Sequence, residues 1–172
     1  MLSVRHLTAG YGRVVDGQPA IPVLRDVGFD LPAGGALGII GESGSGKSTL
    51  ARVIAGLLPA AQGSVLLDGA PLPPTLGERS LDQFRAVQLV FQNADTALNP
   101  AHSVRRILAR PLQHYHGLTG AAADRRVREL LDLTRLPADV VDRPVTKLSG
   151  GQKQRVNLAR ALAADPRGCA TR

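Results

Sequence analysis

The chain has 172 residues, 44% of them hydrophobic and 3% aromatic, with a formal net charge of +7. That length buries one core and makes a single domain the default; so few aromatics argue against a stacking surface for single-stranded nucleic acid. Cys169, the lone cysteine, excludes an internal disulfide or a cysteine metal cage within one chain and suits a reducing compartment, which points to the cytosol.

The N-terminal stretch "MLSVRHLTAGYG" lacks a continuous apolar run, and no later segment approaches the roughly 18 apolar residues that a membrane span needs. Any membrane role is therefore expected to be peripheral. Apolar and polar residues alternate loosely over Leu2 to Thr8 and Val27 to Leu31, which predicts short half-exposed strands at one edge of the domain. "ALGII", Ala36 to Ile40, reads as a buried strand running into glycines, and Leu50, Val53, Ile54 and Leu57 then fall at helical spacing. "VLLDG" and "VQLVFQ" predict two further strands, with Asp68 and Gly69 as a turn after the first, and "GAPLPPTLGE" reads as a surface loop. From about Pro100 to Val145 the signal is helical, with Val127, Leu130, Leu131 and Thr134 as one stripe. The arginines here, Arg105, Arg106, Arg110, Arg125, Arg126 and Arg128, read as solvated faces of amphipathic helices, so the net charge alone does not select an anionic partner. His114 and His116 lie two apart, do not share a helical face, and read as a solvated pair rather than a metal site.

Two stretches carry chemistry. "GESGSGKST", Gly41 to Thr49, fits G-x-x-x-x-G-K-[ST], between an expected strand and an expected helix. Gly41, Gly44 and Gly46 let successive N–H groups converge on phosphate oxygens at a helix N-terminus, with Ser43, Ser45 and Thr49 in the same loop. Lys47 neutralises β/γ-phosphate charge and Ser48 offers a hydroxyl to Mg²⁺, while Glu42 points to solvent. In "LSGGQKQRVNLARALA", Ser149 can cap a helix whose first turn holds Gly150, Gly151 and Gln152, a second helix end with amides open to an anion.

With both stretches in view, the sequence resembles the ATP-binding subunits of ABC transporters from about Leu2 to Arg167. Gly41 to Thr49 resembles the family's Walker A loop, Gln92 in "VFQ" its Q-loop, and Leu148 to Gln152 its "LSGGQ" signature; Tyr11 in "AGYG" looks like the A-loop aromatic that stacks on adenine. "FQNADTALNP" resembles the "FQDPxxxLNP" of the peptide and nickel importers, with Asn93 and Ala94 departing from its Asp-Pro.

The resemblance implies an α/β P-loop fold of the ABC type, with an antiparallel β edge and a helical insertion. Residues 1–99 and 146–167 would form the α/β core, 100–145 the helical subdomain, and 168–172 a tail outside the family pattern. It implies ATP and Mg²⁺ as cofactors, with Ser48 and Gln92 as metal-side oxygen donors. The implied partners are a second ATP-binding subunit paired head to tail, transmembrane permease subunits and, indirectly, a solute-binding protein, at the inner face of the cell membrane.

In the family the carboxylates of hydrolysis follow the signature helix on an apolar strand, whereas Gly168 to Arg172 hold no apolar run and no carboxylate. The expectation is a core sheet incomplete at the C-terminus, an aggregation-prone product, and a chain that binds ATP without turning it over. Two alternatives carry other functions: a non-catalytic partner or remnant of a full-length subunit, and an ABC-type ATPase acting on nucleic acid or ribosomes. The latter is disfavoured because no coiled-coil, zinc-ligand or second-ATPase segment is visible.

Overall fold

The computed structural model describes residues 1–171. It divides into two compact units, one over Met1–Val87 and one from Gln88 onward. No helix among the described residues is long and apolar enough to cross a membrane.

The first unit is built on a hairpin of β1 (Leu2–Val15) and β2 (Gln18–Leu31). Asp16 and Gly17 close it with φ of 49° and 74°, the two-residue Asp-Gly geometry whose twist matches that of the flanking strands. Pairing from Leu2↔Leu31 through Tyr11↔Ile21 to Val15↔Gln18, interrupted by bulges, extends both strands to 14 residues. They outrun the alternating segments read from sequence because the turn, rather than the hydrophobic pattern, sets where they end. β3 (Gln62–Leu67) pairs antiparallel with the other edge of β1, and the two-residue β4 (Ala70–Pro71) lies outside it, giving the order β2-β1-β3-β4. Asp68 and Gly69, at φ 50° and 81°, form the expected turn between β3 and β4.

The amphipathic α1 (Lys47–Ile54) buries Leu50, Val53 and Ile54 in one core with Val4, Leu7, Leu24 and Val65. It ends before Leu57, which is 47% exposed rather than part of the stripe, because Gly56 at φ 76° turns the chain out of the helix. Arg79, 8% exposed, holds that end by donating from Nη2 to the Ile54 carbonyl and from Nε to the Pro73 carbonyl, both at 3.0 Å. The six-residue α2 (Leu81–Ala86) starts on a capping box made by Ser80 and Gln83.

The expected buried strand at Ala36–Ile40 is not formed. The segment is outside any strand and fully on the surface, with Ile40 98% exposed and Leu37 and Ile39 each 47%. A continuous apolar run becomes a buried strand only when neighbours pair with its edges and helices cover its faces. Among the described residues no strand pairs with this one.

In the second unit α3 (Ala94–Ala97), α4 (Val104–His116), α5 (Gly120–Leu133) and α6 (Gly150–Leu162) follow one another. Their shared core holds Val104, Leu108 and Leu112 of α4, Val127, Leu130 and Leu131 of α5, and Val156 and Ala159 of α6. Thr134 closes the α5 stripe as expected, buried, with its hydroxyl donating to the Leu130 carbonyl at 2.8 Å. Arg105 fastens the start of α4 to Asp142 at 2.8 Å and also to Asp124. The histidine pair is not uniformly solvated: His114 is exposed, whereas the half-buried His116 meets the Ala163 carbonyl at 3.1 Å through Nε2, because it lies on the side of α4 nearer the end of α6.

β5 (Val87–Val90) forms a two-stranded sheet with β6 (Gly168–Thr171). This corrects the reading of the last residues as a tail without a strand. Unpaired backbone N–H and C=O groups along β5 accept any extended neighbour, and Gly168–Thr171 qualifies without the hydrophobic pattern that sequence reading requires. Arg172, the last residue of that expected tail, lies outside the described residues.

Candidate functional site

Gly41–Thr49 belongs to the first unit, where it forms the approach to α1. Gly44 and Gly46 adopt φ of 86° and 97°, conformations that strain any residue with a Cβ. At Gly46 the packing is also tight, since a Cβ would stand 2.9 Å from Leu24 Cδ2 and 3.1 Å from Val23 Cγ1. The glycine thus seats the loop on β2 at the point where α1 begins. It is the N-cap of α1, and no side chain closes the first turn. The first-turn N–H groups consequently have no side-chain acceptor, and the positive end of the helix dipole is open to an anion.

Lys47 folds back over this loop. Its Nζ donates to the Gly41 and Glu42 carbonyls at 2.6 Å each and to Ser45 Oγ at 3.2 Å. The ammonium is therefore placed at the mouth of the loop, on carbonyl oxygens that a more strongly charged phosphate can displace. Ser48 is half-buried in the first turn of α1, Thr49 is buried, and the side chain of Glu42 lies on the exposed surface as expected.

Tyr11 of β1 reaches the same helix. Its hydroxyl lies 3.4 Å from Thr49 Oγ1 and accepts from Arg52 Nη1 at 3.2 Å. Ile21, directly opposite Tyr11 in the hairpin, shares its face of the sheet. Tyr11 is 39% exposed and Ile21 62%, so the aromatic ring has an apolar neighbour and access to solvent. Sequence reading finds Tyr11 but not Arg52, because an arginine in an amphipathic helix carries no signal beyond a solvated face.

The signature stretch belongs to the second unit. Ser149 is the N-cap of α6 and makes a complete capping box: its Oγ accepts from the Gln152 amide at 3.3 Å, and Gln152 Oε1 accepts from the Ser149 amide at 3.0 Å. Gly150 and Gly151 are exposed, and a Cβ added to either would meet nothing within 4 Å. Nothing in this chain's own packing requires glycine there.

Gln92 is exposed just after β5. Asn93 then caps α3, accepting from the Asp95 amide at 2.9 Å, so the departure from Asp-Pro still starts a helical turn. The residues that bond to the backbone on either side of Gln92 escaped sequence reading. Asn157, buried in α6, donates from Nδ2 to the Phe91 carbonyl at 2.9 Å; Arg160 donates to the Ala97 carbonyl at 2.6 Å. A polar residue on the buried side of a signature helix was the available signal.

The ABC transporter family model matches residues 24–168, and the chain belongs to that family. The nickel import ATP-binding protein NikE of Pseudomonas putida is 42% identical over 168 residues, covering 96% of this chain and 62% of the relative. NikE of Brucella suis is 41% identical over 146 residues, covering 84% and 54%. This chain therefore spans little more than half the length of these curated relatives.

Among solved structures, cbiO1 from Clostridium perfringens, part of the ABC transporter complex cbiONQ, aligns with a TM-score of 0.82 at 26% identity, over 99% of this chain and 64% of that one. The ATP-binding cassette MJ0796, a dimer bound to ADP and Pi, aligns with the same TM-score of 0.82 at 28% identity, over 99% and 73%. The fold is that of an ABC ATPase, and these residues form part of it.

Proposed function

We propose that the chain is the nucleotide-binding part of an ATPase subunit of a nickel importer. The observation that carries this reading is the start of α1: a left-handed Gly46, an uncapped first turn and the Lys47 ammonium folded onto the loop carbonyls. Together they form a receptacle for a polyphosphate. Tyr11, oriented by Arg52, supplies a ring on which adenine can stack. The names of the relatives support nickel over peptide as the cargo.

Mg²⁺ fits the Ser48 hydroxyl of the first unit, since a hard cation held with substrate phosphates needs few protein ligands; Gln92, in the second unit, is the other oxygen donor that the family resemblance implies. Among the described residues there is no group of three or more His, Cys, Asp or Glu that could hold a metal alone, so the ion would enter with the nucleotide. When bound, it neutralises phosphate charge. Ser48 would hold the ion, and Lys47 would take the β/γ oxygens.

Gly150 and Gly151 stand clear of this chain's side chains, which leaves room for the phosphates of a nucleotide held by a second subunit, the head-to-tail pairing we assign. Permease subunits, and through them a solute-binding protein, complete the proposed assembly, peripheral to the inner face of the membrane. Gly168 to Arg172 supply neither Asp nor Glu, so the share of the cycle given to these 172 residues is binding, not turnover.

Calorimetric titration of the purified chain with Mg-ATP tests the reading. Binding that Lys47→Ala removes is expected. Absence of binding overturns the assignment, and phosphate release sensitive to Lys47→Ala overturns the restriction to binding.

A further inference from the structure

Lys153, Asn157 and Arg160 fall at i, i+4 and i+7 of α6, so they line one side of the helix that the signature begins. All three reach the segment that carries Gln92. Lys153 Nζ pairs with Asp95 Oδ1 at 2.6 Å. Asn157 Nδ2 donates to the Phe91 carbonyl at 2.9 Å, and its Oδ1 accepts from Arg160 Nη2 at 2.9 Å. Arg160 Nη1 donates to the Ala97 carbonyl at 2.6 Å.

Asn157 is 1% exposed. A carboxamide so placed costs stability unless both its ends are bonded, and here both are. An aliphatic residue would fill the position without that requirement. What the polar pair adds is a grip on main-chain carbonyls, which fixes the path of the backbone more directly than side-chain packing does. The carbonyls gripped belong to Phe91, immediately before Gln92, and to Ala97, five residues after it, while Gln92 itself stays exposed. The segment is clamped at both ends while the Gln92 residue between them is exposed.

We infer that Lys153, Asn157 and Arg160 are positioning residues that tie the Gln92 segment to the signature helix, so that a displacement of Gln92 is delivered to Ser149–Gln152 as movement of one body. The functional half of this inference rests on the nucleotide-binding reading above; the mechanical half does not.

Amide hydrogen exchange on the full 172-residue chain tests both. Without nucleotide, Asn157→Leu is expected to speed exchange at residues 91–97 by tenfold or more and leave residues 120–133 of α5 unchanged. Lys153→Asp is expected to speed the same amides, and the reversed pair Lys153→Asp with Asp95→Lys to restore them. Unchanged exchange at 91–97 in Asn157→Leu, or no rescue by the reversed pair, overturns the clamp. Should Asn157→Leu also speed α5, the variant is unfolding, and the charge-reversal pair together with Arg160→Lys decides.

With Mg-ATP, the wild type is expected to slow at 91–97 and 149–153 together. At saturating Mg-ATP, Asn157→Leu should respond only at 91–97. A signature response equal to wild type in that variant overturns the coupling. A wild type that shows no Mg-ATP response even at 41–48 sinks the nucleotide reading instead, and the clamp then stands or falls on the nucleotide-free exchange.

Discussion

Arg52 donates to the Tyr11 hydroxyl at 3.2 Å, a bond that joins the second turn of α1 to the middle of β1 across 41 residues of sequence. α1 thereby sets the orientation of the aromatic ring proposed to receive the base. Tyr11→Ala is expected to weaken Mg-ATP binding by about 10- to 100-fold, the loss of one stacked base at about 1–3 kcal/mol. Arg52→Met keeps the ring and loosens it, with an expected loss of about threefold, within the worth of one hydrogen bond. Calorimetry on both variants is the check; wild-type affinity in Tyr11→Ala would remove the ring from the site.

Gly46 and Gly150 predict opposite outcomes for the same substitution. Gly46→Ala places a Cβ 2.9 Å from Leu24 Cδ2 at φ 97°, and should cost about 1–3 kcal/mol of stability. Gly150→Ala meets nothing within 4 Å and should change stability by no more than about 0.5 kcal/mol. Urea midpoints measured side by side decide, and equal shifts would contradict the seating of the loop on β2.

Lys47 gives a case in which binding and stability separate. Its hydrogen bonds to Gly41 and Glu42 are on the exposed surface, where water replaces a lost donor, so Lys47→Ala should shift stability by less than about 0.5 kcal/mol. Mg-ATP affinity should nonetheless fall at least about 100-fold, because a desolvated charge-assisted bond to phosphate is lost. Thermal melts with and without nucleotide read both effects, and a large destabilisation of the free protein would show that the lysine holds the loop together.

Acid should weaken both units through identifiable carboxylates. Hydrogen bonds from Arg5 and then Ser3 hold the Asp30 carboxyl below its ordinary range, and a hydrogen bond from Arg105 does the same for Asp142. A carboxyl whose folded pKa is depressed stabilises fully above its unfolded value of about 3.9, and the contribution is lost as pH falls through the folded value. Stability should therefore be flat in these groups from pH 7 to about 5 and decline below about 4. Asp142→Asn should flatten part of that decline in urea midpoints taken between pH 6 and 2; an unchanged slope would mean that the Arg105 bond does not persist in solution.

The parts of the fold legible in sequence were those fixed by local chemistry. Val127, Leu130 and Leu131 declare their helix by spacing alone, and Ser149 with Gln152 declares its cap. Asp16-Gly17 was equally readable as a hairpin turn and would have given the full length of β1 and β2. Ala36–Ile40 and Gly168–Thr171 were misread in opposite directions for one reason: a strand is a property of a pair, and neither segment's own composition reveals whether a neighbour is present. In the site, Lys47 and Ser48 were legible because a motif fixes their roles. Arg52 and Asn157 were not, since each acts through a contact 41 and 66 residues away in sequence.

The two glycine-rich helix starts are unequal receivers. α1 begins with no side chain closing its first turn, whereas α6 already satisfies part of its own through Ser149 and Gln152. A phosphate arriving at α1 gains acceptor-starved amides at once; one arriving at α6 finds a helix end that is partly content. On the proposed reading filling is ordered, with α1 taking the anion from solution and α6 adding its share only after another surface has brought the anion into place.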